Sequence, residues 1–277
     1  MEIIDAHQHF WKYDPVRDAW ITKEMGAICR DFLPVDLSKI LRSNGIAGTV
    51  VVQSDQSEEE NLFQLMNAEN NDFIKAIVGW VDLQSANVED RLNHYSQYPK
   101  MKGFRHVLQG ETNRALMLSH EFKKGISLLN QFNFTYDLLV LPDQLNYCTE
   151  LVQQFPNQLF VIDHIAKPGI KSKAIADWKL DIQTLAKHEN VYCKISGLVT
   201  EADWRTWQKL DLFPYIDVVV EAFGPKRIMF GSDWPVCLLS ASYEATLGIV
   251  KDYFSSFSQG EQEDYFRMNA TRFYNLN

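Results

Sequence analysis

Short apolar runs alternate with longer amphipathic stretches along the whole chain. The runs Thr49-Val50-Val51-Val52, Leu159-Phe160-Val161-Ile162 and Ile228-Met229-Phe230 are almost uninterrupted, as strands buried on both faces require. Strands are predicted at Ile3–His9, Gly48–Gln53, Ile74–Asp82, Gly103–Leu108, Phe134–Val140, Leu159–His164, Val191–Ser196 and Arg227–Ser232. Helix-like stretches fall between them: Asp36–Ser43, Glu58–Asn70, Asn87–Gln97, Arg114–Gln131, Pro142–Gln154, Ala174–His188, Leu212–Phe223, Tyr243–Phe257 and a closing Glu261–Tyr274. Ser57 is placed to N-cap the second, and Asn44-Gly45 to stop the first. Eight strands alternating with helices predict a single-domain (β/α)8 TIM barrel spanning residues 1–277. A doubly wound open sheet is the alternative, but its Gly-rich first turn is missing.

Composition narrows the partners. The 277 residues are 46% hydrophobic, enough for a large core. Thirty-six acidic residues against 27 basic ones give a net charge of −9, which argues against nucleic acid and anionic membranes and favours a small-molecule ligand. Cys29, Cys148, Cys193 and Cys237 show no CxxC spacing and read as buried reduced thiols. The first strand begins at once, with no leader pattern, and no apolar stretch is long enough to span a bilayer, so a cytoplasmic protein is expected. Oligomeric state is not legible.

In such barrels the reacting groups sit at the carboxyl ends of strands. Those ends carry His7 and His9, Gln53, Trp80–Asp82, Arg105-His106, Tyr136-Asp137, Asp163-His164, Lys194–Ser196 and Ser232-Asp233-Trp234. The His-X-His spacing points both imidazoles to one face of a strand. His7, His9, His164 and Asp233 together suit either a mononuclear metal site or a water-activating cluster. Each has a plainer reading, His164 as a strand cap and Asp233 as an N-cap. Lys194 and Ser196 flank Ile195 and are expected to face the barrel interior together. His94, His120 and His188 read as surface residues.

The segments Asp5-Ala6-His7-Gln8-His9-Phe10-Trp11, Gly103-Phe104-Arg105-His106, Asp163-His164-Ile165-Ala166-Lys167-Pro168 and Gly231-Ser232-Asp233-Trp234-Pro235 jointly resemble the amidohydrolase superfamily. Within it they are similar to the lactonase branch that includes L-fuconolactone, L-rhamnonolactone and pyrone dicarboxylate hydrolases. The resemblance covers essentially the whole chain and implies a barrel that opens a cyclic ester with water. It further implies either no cofactor or one divalent metal, zinc being the first choice, held by His7, His9, His164 and Asp233. The fourth strand ends in Arg105-His106, without the lysine or glutamate that would bridge two metals.

On this reading Asp233 is the general base, and the three histidines polarise the carbonyl directly or hold a metal that does so. Arg105 and His106 are expected to bind ring oxygens or the developing oxyanion, although Arg105 has an equal alternative as a partner of Asp137 or Asp163. Trp11, Tyr136 and Trp234 suit the apolar face of a sugar ring; Trp80 reads better as core. Trp204 and Trp207 are candidates for a lid or rim cover. Arg105 is the only arginine placed at the mouth, with Arg205 as a second candidate that would have to fold over it, which favours a deoxy-aldonolactone over a dicarboxylate. A metal-dependent decarboxylase of the same superfamily, a pyrone dicarboxylate lactonase and a catalytically silent barrel are the alternatives.

Overall fold

The computed structural model describes residues 2–276. Eight strands are all parallel and hydrogen-bonded in sequence order: β1 (Ile3–Gln8), β2 (Ile46–Val52), β3 (Ile74–Gly79), β4 (Met101–His106), β5 (Thr135–Leu138), β6 (Phe160–Ile162), β7 (Val191–Ile195) and β8 (Ile228–Phe230). The ring closes between β8 and β1, where His9 N donates to Trp234 O at 2.7 Å and Asp233 N to His7 O at 2.9 Å. This is the predicted (β/α)8 barrel.

The helices are α1 (Pro34–Asn44), α2 (Glu58–Glu69), α3 (Val88–Tyr95), α4 (His120–Leu129), α5 (Leu145–Gln154), α6 (Ala176–Leu185), α7 (Leu198–Glu201), α8 (Lys209–Phe223), α9 (Tyr243–Phe254), α10 (Gln259–Glu263) and α11 (Asn269–Phe273). Ser57 caps α2 by accepting from Glu60 N (3.2 Å), and Gly45 ends α1 with φ 70°. The single helix expected over Arg114–Gln131 is broken. Ser119 is extended and caps α4 from Phe122 N, so the regular helix starts only at His120. The last expected helix is interrupted by a π-type turn at Asp264–Met268. None of the described helices is long and apolar enough to cross a membrane.

Strand parity decides what enters the barrel. Ile4, Ala6, Val50, Val52, Ala76, Val78, Val161 and Met229 fill its lower interior, and Ala270, Phe273 and Tyr274 from the C-terminal segment plug the bottom. Above this apolar floor the inward positions become charged: Arg105 on β4, Asp137 on β5, Asp163 after β6 and Lys194 on β7 are all buried. β1 switches phase to join them. Asp5 faces Thr49 while Gln8 faces Val51, three steps against two, which marks a β-bulge. The bulge lets Ala6 pack into the floor while His7 still points inward. Without it, His7 and His9 would be turned towards the helices.

Candidate active site

At the carboxyl end of the barrel, three imidazoles face one carboxylate oxygen. Asp233 Oδ1 lies 3.9 Å from His7 Nε2, 3.4 Å from His9 Nε2 and 3.8 Å from His164 Nε2. The other nitrogen of each ring is engaged elsewhere. His9 Nδ1 is 2.7 Å from the carbonyl of Val52, His164 Nδ1 is 2.9 Å from Ser196 Oγ, and His7 Nδ1 is 3.2 Å from Asp163 Oδ1. These outer partners fix the ring planes and leave every Nε2 turned towards Asp233.

Unusual backbone holds two of the four groups. His164, Ile165, Ala166 and Lys167 form a left-handed turn, with φ of 53°, 49°, 57° and 48°, closed by Lys167 N donating to His164 O at 2.8 Å. Each non-glycine residue in this region costs roughly 1–2 kcal/mol. Burial of Ile165 and Ala166, and the bond from Trp178 Nε1 to Ile165 O (2.8 Å), hold the turn in place. Asp233 is also left-handed, at φ 57°. Two glycines make room: a Cβ on Gly197 would sit 2.8 Å from His164 Cβ, and one on Gly231 2.7 Å from His7 Cβ.

Beneath His7 lies a buried ionic network. Asp163 pairs with Arg105 Nη1 through Oδ2 (2.9 Å) and with Lys194 Nζ through Oδ1 (3.0 Å). Lys194 also reaches Asp137 Oδ2 at 2.5 Å, and Tyr274 Oη donates to Asp137 from below at 3.0 Å. Arg105 therefore takes its Asp163 alternative. It still lines the cavity, with Nη1 3.4 Å from His7 Nε2 and Nη2 donating to the carbonyl of Gln53. Burial, reinforced by the Lys194 cation and opposed by Asp163, holds His7 well below the ordinary imidazole range. Burial lowers His164 in the same way. Burial pushes Asp163 and Asp233 up, but their cationic and imidazole neighbours outweigh it, and both carboxylates are held below the usual range. Asp137 differs: burial dominates and raises it to about 6 despite Lys194.

The cluster opens into a cavity of about 390 Å³, a size suited to a small ligand. Trp11, Trp20 and Trp204 form aromatic walls, and Met25, Val107, Leu139, Val236 and Leu239 contribute apolar surface. A larger depression of about 640 Å³, bordered by Lys171, Asp203 and Leu210, holds none of the four clustered groups.

Several expected contacts are absent from this cavity, and strand parity gives the reason. His106 and Tyr136 follow and precede inward residues on their strands, so both point to the helix layer. His106 lies 2.7 Å from Glu111 Oε1, and Tyr136 packs between Phe122 and Phe160. Trp234 is buried against Phe10 and Phe32. Trp80 turns its Nε1 to His106 Nδ1 at 3.4 Å. Trp207 bonds Ser240 Oγ (2.9 Å) and borders the outer depression, which leaves Trp204 alone of the pair on the cavity. Lys194 and Ser196 both face inward, as expected. Trp20, Gln109, Lys167, Thr200 and Glu201 line the cavity without having been singled out for a role. Glu201 sits on α7, a helix too short to leave a periodic pattern.

A single divalent ion is compatible with this donor set. His7, His164 and Asp233 offer ligand atoms all within 4.8 Å of one another, and His7 Nε2 and His9 Nε2 are 3.2 Å apart. Tetrahedral zinc with bonds of about 2.0–2.1 Å holds its ligands at comparable separations.

Comparison with known proteins agrees with the geometry. Residues 4–276 match the family model described as amidohydrolase. The chain is 36% identical to an L-fucono-1,5-lactonase of Burkholderia multivorans, over 99% of this chain and 96% of that one. It is also 36% identical to an L-fucono-1,5-lactonase of Burkholderia ambifaria, over 87% and 82%. A crystal structure of an amidohydrolase from Burkholderia multivorans with bound zinc superposes with a TM-score of 0.97 at 35% identity, over the full length of both chains. A barrel closed from β1 to β8, with histidines after β1 and β6 and an aspartate after β8, therefore agrees with the full-length match: this chain belongs to the amidohydrolase family.

Proposed function

We propose that this protein hydrolyses a sugar lactone, with a 6-deoxy-aldonolactone of the L-fuconolactone type as the preferred substrate class. The observation that carries the reading is the placing of Asp233 Oδ1 within 4 Å of three Nε2 atoms at the base of a partly apolar cavity. The relatives named as L-fucono-1,5-lactonases support the substrate class.

Asp233, held ionised by its imidazole neighbours, takes a proton from water as the water oxygen attacks the lactone carbonyl. The Arg105 cation, fixed by Asp163 and Gln53, faces the negative charge that develops on the carbonyl oxygen. His9 and His164 orient the water and the ester through Nε2. A divalent ion held by His7, His9, His164 and Asp233, zinc by donor chemistry, supplies carbonyl polarisation and water acidification when bound. The apolar side chains suit a deoxy methyl group, and the tryptophans suit the face of the sugar ring. Arg205 is exposed and outside the cavity, so a dicarboxylate meets one arginine there rather than a pair.

The test is a pH-indicator assay of acid release from a panel of aldonolactones, with and without chelator, against the spontaneous rate. Release from deoxy-aldonolactones well above background is expected. If no lactone is opened faster than buffer opens it, the proposal fails.

A further inference from the structure

The left-handed turn after β6 presents two side chains to the cavity. His164 and Lys167 are three residues apart in a turn with about three residues per turn, so they share a face. Ile165 and Ala166 are buried. Lys167 Nζ lies 3.8 Å from Glu201 Oε1. Glu201 is carried on α7, which follows directly on Gly197, the residue packed against His164. Its backbone is tied at both ends: Glu201 N donates to Gly197 O (3.3 Å) and Lys171 N donates to Glu201 O (3.1 Å). Both charged side chains line the same cavity as Asp233. Lys167 is near enough for its charge to lower both His164 and Asp233.

At 3.8 Å the two charged groups are an ion pair without a tight hydrogen bond, which leaves donor and acceptor capacity free. Burial raises the Glu201 carboxyl, as expected of a group drawn out of water beside a ligand space. From another wall, Gln109 lines the cavity, and its buried Oε1 has no hydrogen-bond partner among the described residues. None of these three groups belongs to the His/Asp cluster or to the network beneath it. A cation, a carboxylate and an amide around one cavity, set apart from the His/Asp cluster and beside apolar walls, are the complement of a polyol ring. Carboxylate and amide oxygens accept from its hydroxyls, and the ammonium donates to them.

We propose that the Lys167–Glu201 pair, presented by the left-handed turn and α7, is a hydroxyl-binding clamp that makes this site selective for polyhydroxylated lactones over unsubstituted ones. The proposal rests on the lactonase reading and adds a specificity determinant to it. A site built to hydrogen-bond hydroxyls rejects analogues lacking them, because its buried polar groups are then left unpaired.

The test uses the full chain and two variants, Glu201→Leu and Lys167→Met, which remove the acceptor and the donor outright and are checked for folding by circular dichroism. The first readout is the ratio of kcat/KM for the best aldonolactone to that for δ-valerolactone. A fall in this ratio of about tenfold or more in either variant is expected, the scale of one charge-assisted hydrogen bond. The second readout is the affinity for the ring-opened sugar acid, followed by intrinsic tryptophan fluorescence, since Trp11, Trp20 and Trp204 line the cavity. Loss of the Glu201 charge by itself would tighten binding of that anion, whereas loss of a hydroxyl acceptor weakens it. Weaker binding by Glu201→Leu, which loses both charge and acceptor, is the expected result. An unchanged ratio together with unchanged or tighter binding overturns the clamp while leaving the lactonase reading intact. Absence of any lactone turnover by the parent enzyme overturns both.

Discussion

Gly197→Ala isolates the fit between β7 and the left-handed turn. The added methyl would meet His164 Cβ at 2.8 Å and both Cγ and Nδ1 at 2.9 Å, with the backbone at φ +66°. The backbone conformation costs an alanine roughly 1–2 kcal/mol. Crowding against a packed ring adds about 1–3 kcal/mol, for a total of about 2–5 kcal/mol. If His164 turns aside to relieve the contact, it gives up its 2.9 Å bond to Ser196 and its aim at Asp233. Displacement of a reacting group by about 1 Å costs on the order of 100-fold in rate. Gly45→Ala is the control, because Gly45 has φ +70° with nothing within 4 Å and carries the backbone cost alone. Urea denaturation and lactone turnover are measured on both variants. Gly197→Ala is expected to lose more stability than Gly45→Ala, and only Gly197→Ala to lose activity. Equal stability losses with full activity retained in both would refute the packing argument.

Lys194→Met should destabilise by about 3–5 kcal/mol, since Asp137 and Asp163 would be left buried without their shared cation. Asp137, already raised to about 6 beside Lys194, would then titrate higher still in the folded state, so the deficit should shrink as pH falls from neutrality through about 6; denaturant midpoints at several pH values check this. A thiol reagent should label one cysteine in the native protein and four in denaturant, because Cys148, Cys193 and Cys237 are buried with raised thiol pKa values and only Cys29 is partly exposed. Zinc added to chelator-treated protein should raise the melting temperature, by an amount equivalent to about 2.7 kcal/mol at 100 times Kd. Asp233→Asn should reduce that rise, as differential scanning fluorimetry can show.

The eight strands were legible because a buried parallel sheet leaves nearly continuous apolar runs, as in Val50–Val52 and Phe160–Ile162. The four clustered groups were legible for a related reason: polar residues recur where such apolar runs end, at the rim where a barrel carries its reacting groups. What each neighbour did was less legible. Polar residues stand in adjacent pairs at the strand ends, yet alternation sends Arg105 inward and His106 outward, and likewise Asp137 and Tyr136. The bulge in β1 breaks that alternation with no glycine to mark it. Lys167 and Glu201 were out of reach because one depends on a left-handed turn without glycine and the other on a four-residue helix.

The central claim is that Asp233 is the base at the reacting carbonyl. Its most direct test is the kcat of Asp233→Asn on the best aldonolactone, measured above the spontaneous rate and with folding verified. Loss of a positioned general base predicts a fall of about 10²–10⁴-fold. A variant that turns over as fast as the parent would contradict the account.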